Sequence, residues 1–247
     1  MSNLVPILGV NRHRLLIDGE GVTTLVAFHG CPLHCKYCLN PQSLSDDFDF
    51  PLYSCEQLYE RVKVDELYFL ATRGGITFGG GEPCLRSEFI SRFRELCGKE
   101  WRITVETSLN VPRKHLEILL PVVDDYIVDI KDTNDEIYQN YTGRSNHQVL
   151  GNLRWLIEHG KAEQITVRIP LIPQYNMEED TTHSIDLLKS MGLSHFDVFT
   201  YRTKKLLLIR LRPTVIMYIL RFPFIFRKWV LCRITDRDYI QRNNLFG

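Results

Sequence analysis

Cys31, Cys35 and Cys38 lie within eight residues, spaced C-x3-C-x2-C. Three thiolates this close can converge on one soft metal centre. They are one short of the four that a closed structural zinc site or an ordinary all-cysteine 4Fe-4S cluster requires. A cubane held at three corners leaves one iron open to a substrate or cofactor. Asn40-Pro41 follows as a turn signal, which places the thiols on a loop. Two other readings stand beside this one: a cysteine-histidine zinc site using His29 or His34, and a chance cluster of small buried hydrophobes. Seven cysteines, an odd number, fit metal binding in a reducing compartment better than a disulfide framework. Cys55, Cys84 and Cys97 are isolated and read as packing residues.

The 247 residues suit one large domain. Formal charge is zero, yet residues 1–200 carry 19 Lys+Arg against 28 Asp+Glu, and residues 201–247 carry 11 against 2. The main body has no basic surface, which argues against a nucleic-acid partner. No basic start, apolar middle and small-residue cleavage site announces secretion, so a cytoplasmic location is the expectation. In the apolar tail the longest uninterrupted run is Val215 to Leu220, far short of the roughly 20 residues that cross a bilayer. The chain therefore divides into a core, residues 1–201, and an atypical basic and apolar segment, residues 202–247.

Six short β-branched or apolar runs read as strands: Thr23 to Phe28, Ile76 to Phe78, Arg102 to Thr107, Tyr126 to Ile130, Ile165 to Ile169 and Phe196 to Phe199. Helical patterns separate them. Ser54 and Gln57 form a capping box for a helix through Leu58 and Val62 towards Leu70. Ser87 to Leu96 buries Phe89 and Phe93, and Pro112 opens a helix over Leu116 to Leu120. Thr133 and Glu136 suggest another box. Leu150, Leu153 and Ile157 form a stripe ended by Gly160, and a last helix with Ile185 and Leu188 ends at Gly192. This alternation predicts an α/β protein with a parallel sheet, open or part of a barrel, whose strand carboxyl ends gather the site.

The run Gly30 to Asn40 around the three cysteines, followed by Thr77-Phe78-Gly79-Gly80-Gly81-Glu82-Pro83, resembles the radical S-adenosylmethionine superfamily. Within it, the chain is most similar to glycyl-radical-enzyme activating enzymes of the pyruvate formate-lyase activating kind. Asp18-Gly19-Glu20-Gly21, Asp129-Ile130-Lys131, Tyr141-Thr142-Gly143 and Ser145-Asn146-His147 extend the likeness over roughly residues 10 to 201. The resemblance implies a partial (β/α)6 barrel of the radical SAM type, open on one side to a segment of another protein. It assigns Cys31, Cys35 and Cys38 to a 4Fe-4S cluster whose fourth iron is chelated by S-adenosylmethionine. It places Gly80, Gly81 and Glu82 at the cofactor's amino group, with Thr107, Ser108, Asp129, Lys131 and Arg168 around the rest. In some members a monovalent cation sits where Glu106, Thr107 and Asp129 fall.

The implied activity is reductive cleavage of S-adenosylmethionine, followed by removal of a hydrogen atom from a glycine of a partner glycyl-radical enzyme. Cluster and cofactor carry that chemistry, so no residue is expected to be catalytic by itself, and a flavodoxin or ferredoxin-like donor would supply the electron. Another radical SAM reaction, on a peptide or small molecule, and a nonenzymatic metal-binding module are the competing functions. Only 41 residues separate Cys38 from Gly80, which leaves no room for the cluster-bearing insert of some relatives. Leu109 stands where relatives often have glycine, and Arg202 where they commonly have a cofactor-facing histidine. The charge reversal begins at Arg202, so residues 202–247 either serve another purpose or record a disrupted reading frame.

Overall fold

Strands whose residues alternate between small or polar and large apolar have two usable faces, and among the described residues helices cover one of them. The computed structural model describes residues 4–46 and 49–201; expectations about Arg202 and the segment after it lie outside the described residues. Its strands are β1 (Val5–Leu15), β2 (Val22–Phe28), β3 (Leu52–Tyr53), β4 (Gly75–Gly80), β5 (Arg102–Thr107), β6 (Asp125–Asp129), β7 (Ile165–Leu171) and β8 (His195–Thr200). They form one sheet in the order β3-β1-β2-β4-β5-β6-β7-β8. From β2 onward all neighbours are parallel, giving the six strands of a partial (β/α) barrel, while β1 is antiparallel to both β2 and β3.

The helices are α1 (Cys55–Val62), α2 (Glu66–Thr72), α3 (Ser87–Cys97), α4 (Arg113–Leu119), α5 (Asp135–Thr142), α6 (His147–Glu158) and α7 (Glu178–Ser190). The core joins Val26, Phe28, Ile76, Phe78, Ile103, Val105, Tyr126, Val128, Val167 and Ile169 of the strands to helix residues such as Leu58, Phe93, Leu116 and Leu153. Phe28 stacks on Phe78 at 5.4 Å, and Phe93 meets Phe78 edge-on at 5.5 Å. Because side chains alternate along a strand, this arrangement leaves Ala27, Gly79, Glu106, Asp129, Arg168 and Asp197 for the opposite, concave face.

All six expected parallel strands are present; four are one to three residues longer than the runs read from the sequence, β5 matches its run and β6 lies one residue earlier. Two local expectations needed correction, and one strand, β1, was not anticipated. The helix read from Ser54 towards Leu70 is two helices joined by a 3-10 turn at Lys63–Asp65. The break lets Asp65, fully buried, accept from Thr24 Oγ1 at 2.8 Å and from Arg12 Nε at 2.8 Å. The cap of α5 is Asn134, which accepts from Glu136 N at 2.9 Å; Thr133 instead pairs its hydroxyl with Ser184 at 2.9 Å. Finally, β1 has Pro6, Gly9, two arginines and a histidine and no alternation to announce it. It is a strand because the free edge of β2 supplies its backbone partners.

Candidate functional site

The carboxyl ends of the parallel strands surround a cavity of about 300 Å³. Cys31, Cys35 and Cys38 all line it, together with Gly80, Gly81, Thr107, Ser108, Asp129, Lys131 and Arg168. Of the residues that the resemblance assigns to the cluster or cofactor, Glu82 alone is not on its surface.

The cysteine loop is fixed by backbone bonds at both sides. His34 N donates to Thr142 O at 2.9 Å and Lys36 N to Tyr141 O at 3.1 Å, which docks the loop on the end of α5. On the other side, Asn40 Nδ2 donates to Gly80 O at 3.0 Å, and Gly30 O accepts from Glu82 N at 2.7 Å. A side chain at Gly81 has no room, since its Cβ would lie 2.3 Å from Gly30 O. Leu33 enters the core as an anchor. Burial pushes the Cys31 thiol up to about 12. It raises Cys35 to about 11, with Lys131 pulling the other way. Loading a metal here must therefore displace protons. Among the described residues, no three His, Cys, Asp or Glu side chains are gathered tightly enough to hold a single metal ion.

Two ion-pair groups face the cavity. Lys131, 7 % exposed, bonds the Asp129 carboxylate and donates to Tyr201 OH at 2.9 Å. Burial opposes its charge, but Asp129, then Tyr201 and Cys35, outweigh it and hold the ammonium form well above the usual range. Asp129 Oδ1 is a buried acceptor without a hydrogen-bond partner among the described residues. Arg168 is the second hub. It pairs with Glu106, donates to Ile17 O at 2.6 Å, and lies 3.8 Å from Asp18 and 3.4 Å from Asp197. Burial raises the Glu106 carboxyl above its ordinary value, Arg168 counteracts, and Asp18 and Asp129 add to the rise.

Asp18 comes from the Leu16–Gly21 connection, which folds up inside the half-barrel: Thr77 Oγ1 bonds Asp18 O, and Gly19 packs on Thr104. The sequence reading gave Asp18 a turn and a motif but not this place in the cavity. Asp197, Tyr141 and Tyr201 were not singled out for the site, although all three line it. For Asp197 a signal existed: it is the polar position between Phe196 and Val198, on the same strand face that Arg168 occupies one strand away.

Glu82 lies behind the wall, 1 % exposed. It accepts from Thr107 Oγ1 at 2.6 Å, Ser108 Oγ at 2.6 Å, Ser108 N at 2.9 Å and Cys84 N at 3.1 Å. Its contacts are to the wall's own residues, not to the cavity. Leu109, next along, takes the left-handed conformation with φ +57° while fully buried. Asn152 Nδ2 holds its carbonyl at 2.9 Å.

A profile of the Radical SAM superfamily matches residues 25–187, a span that runs from inside β2 through the cysteine loop into α7. The chain belongs to the Radical SAM superfamily. Among characterised relatives of this radical SAM protein, the pyruvate formate-lyase 1-activating enzyme of Escherichia coli (strain K12) is 30 % identical over 180 residues, 71 % of this chain and 72 % of that one. The (2S)-3-sulfopropanediol dehydratase activating enzyme of Klebsiella oxytoca is 29 % identical over 238 residues, covering 71 % and 74 %. In fold, the radical SAM chain is similar to Streptococcus suis SuiB bound to its precursor peptide SuiA, with TM-score 0.57 and 16 % identity. That match covers 88 % of this chain and 47 % of SuiB, so it spans about half of SuiB's length. The donor set fits the superfamily's groups: three thiols face an acceptor-rich wall whose glycine cradle a Cβ would fill, and Asp129 Oδ1 awaits a donor. No helix among the described residues is long and apolar enough to cross a membrane.

Proposed function

We propose that this protein is an activase for a glycyl-radical enzyme. Cys31, Cys35 and Cys38 would hold a 4Fe-4S cluster, with S-adenosylmethionine beside it in the same cavity. Held there and reduced, the cluster would supply the one-electron reduction of the cofactor that leads to removal of a hydrogen atom from a glycine of the partner. The chain's own residues orient and neutralise. Gly80 and Gly81 keep the wall bare for close approach, and Asp129 Oδ1 and Ser108 offer acceptors to the cofactor's amino group. Lys131 and Arg168 are the cavity's cations, and a carboxylate entering it pairs with them. Glu106 pairs with Arg168 and Asp129 with Lys131, and no monovalent cation is proposed.

The observation that carries this reading is the convergence of the three thiols and the acceptor wall on one cavity at the strand ends. The identity to activating enzymes over most of the core supports the choice of partner. A flavodoxin or ferredoxin-like protein is the proposed electron donor and the cytoplasm the proposed location. The test is 5′-deoxyadenosine formation after anaerobic reconstitution, with a strong reductant and Cys35→Ala as control, followed by electron paramagnetic resonance of candidate partners. A glycyl radical on a partner that depends on Cys35 supports the activase. Turnover of a small molecule or peptide with no such partner would replace it by another radical SAM reaction. An intact cluster that yields no 5′-deoxyadenosine with any partner overturns the proposal.

A further inference from the structure

Hydroxyl groups donate one hydrogen bond and accept up to two, and at the wall between β4 and β5 nearly every one of these is accounted for. The Thr107 hydroxyl donates to Glu82 Oε1 at 2.6 Å and accepts from Leu109 N at 2.9 Å and from Cys84 Sγ at 3.3 Å, so it is saturated. The Ser108 hydroxyl donates to Glu82 Oε2 at 2.6 Å and accepts from Asn110 N at 3.3 Å, which leaves one lone pair uncommitted. A carboxylate has only lone pairs to offer, and two backbone N–H groups, of Cys84 and Ser108, hold this one in place. Neither hydroxyl can then turn its proton towards the cavity without abandoning Glu82.

We infer that Glu82 is a positioning residue that sets the polarity of this wall: by taking the hydroxyl protons of Thr107 and Ser108, it makes Ser108 an acceptor for a ligand's amino group without touching the ligand. The inference rests on the cofactor reading above and gives the Gly80-Gly81-Glu82 segment a division of labour. The glycines line the cavity, and the glutamate acts from behind through the β5 loop. The same four contacts tie the β4 and β5 loops into one unit, so the Ser108 oxygen is held at a fixed place relative to Gly80 and Asp129.

Glu82→Gln is the informative variant because it preserves shape and removes two of the four lone-pair sites. Because the Thr107 hydroxyl is saturated while Ser108 keeps one lone pair, the amide NH2 takes the Oε2 side, where it opposes Ser108 N, and the Ser108 hydroxyl loses its acceptor and turns its proton towards the cavity. The measurement is equilibrium binding of S-adenosylmethionine and of its deaminated analogue to the anaerobically reconstituted protein, with thermal unfolding recorded in parallel. We expect Glu82→Gln to weaken S-adenosylmethionine by about tenfold, the usual size of one lost hydrogen bond to a charged group, and to leave the deaminated analogue within about twofold. Ser108→Ala, a small change on a loop, should show the same selective loss even where Glu82→Gln folds poorly, and the double variant should be no worse than the weaker single one. Equal weakening of both ligands, or unchanged binding of S-adenosylmethionine in Ser108→Ala, overturns the positioning role and leaves the cofactor reading intact. Failure of the wild-type holoprotein to bind S-adenosylmethionine overturns both.

Discussion

Cys31 and Cys35 show what burial does to single residues that must ionise to function. With thiols raised to about 12 and about 11, the metal-free protein keeps them protonated at neutral pH, and each thiolate made during cluster assembly releases a proton. Cluster incorporation measured by visible absorption should therefore become more favourable as pH rises from about 7 to 9. The sign reverses for folding. The folded values lie above the ordinary value of 9.0 given for a free thiol, so the stabilisation is complete below about pH 9 and is lost as pH climbs through the folded values, because only the unfolded chain gives up its protons. Cys55 and Cys97, also raised by burial to about 12 and about 11, add to this. The urea midpoint of reduced, cluster-free protein should fall steadily above pH 9. A flat profile would show that these thiols are far more exposed than described.

At the scale of elements, Leu109 is the instructive case. Its backbone is where glycine would be at ease, and the left-handed conformation costs a leucine about 1–2 kcal/mol. Its side chain, however, is completely buried in the core, and removing such a side chain costs about 2–5 kcal/mol. Packing wins. Leu109→Gly should thus lower stability by about 1–3 kcal/mol in denaturant titration, although the left-handed backbone suits glycine. Asp65 makes a different junction, joining the start of α2 to Arg12 of β1 and Thr24 of β2. Asp65→Ala leaves the buried Thr24 hydroxyl without its partner, and should cost about 1–3 kcal/mol. Loss from the same measurement of less than half a kcal/mol would mean that β1 holds to the barrel without it.

Among the described residues, the candidate cavity lies on the concave face of a sheet whose other face carries the hydrophobic core. Stability and chemistry are thereby assigned to opposite sides of the same strands. The cysteine loop is tied to α5 and to β4 by hydrogen bonds that need no metal. Removal of iron by a chelator should bleach the visible absorption while the far-ultraviolet circular dichroism stays within about a tenth of its starting value. Unfolding on chelation, as in domains that metal alone holds together, would contradict this picture.

Local chemistry was legible in the sequence. The three-thiol spacing, the glycines before Glu82, the alternation in β5 and the cap at Ser54 act through neighbours a few residues apart, and such patterns survive in a linear chain. Six strands were readable because each buries one apolar face against helices. Tertiary structure alone decided where those faces turn. It made a strand of β1, whose residues show no period, by offering the edge of β2. It broke a helix at Lys63–Asp65 to satisfy a carboxylate across more than 50 residues of chain. It carried Asp18 into the cavity, and it buried the Glu82 carboxylate behind the residues that line it. Long-range hydrogen bonding and burial fix each of these, and neither depends on what stands next to the residue in sequence.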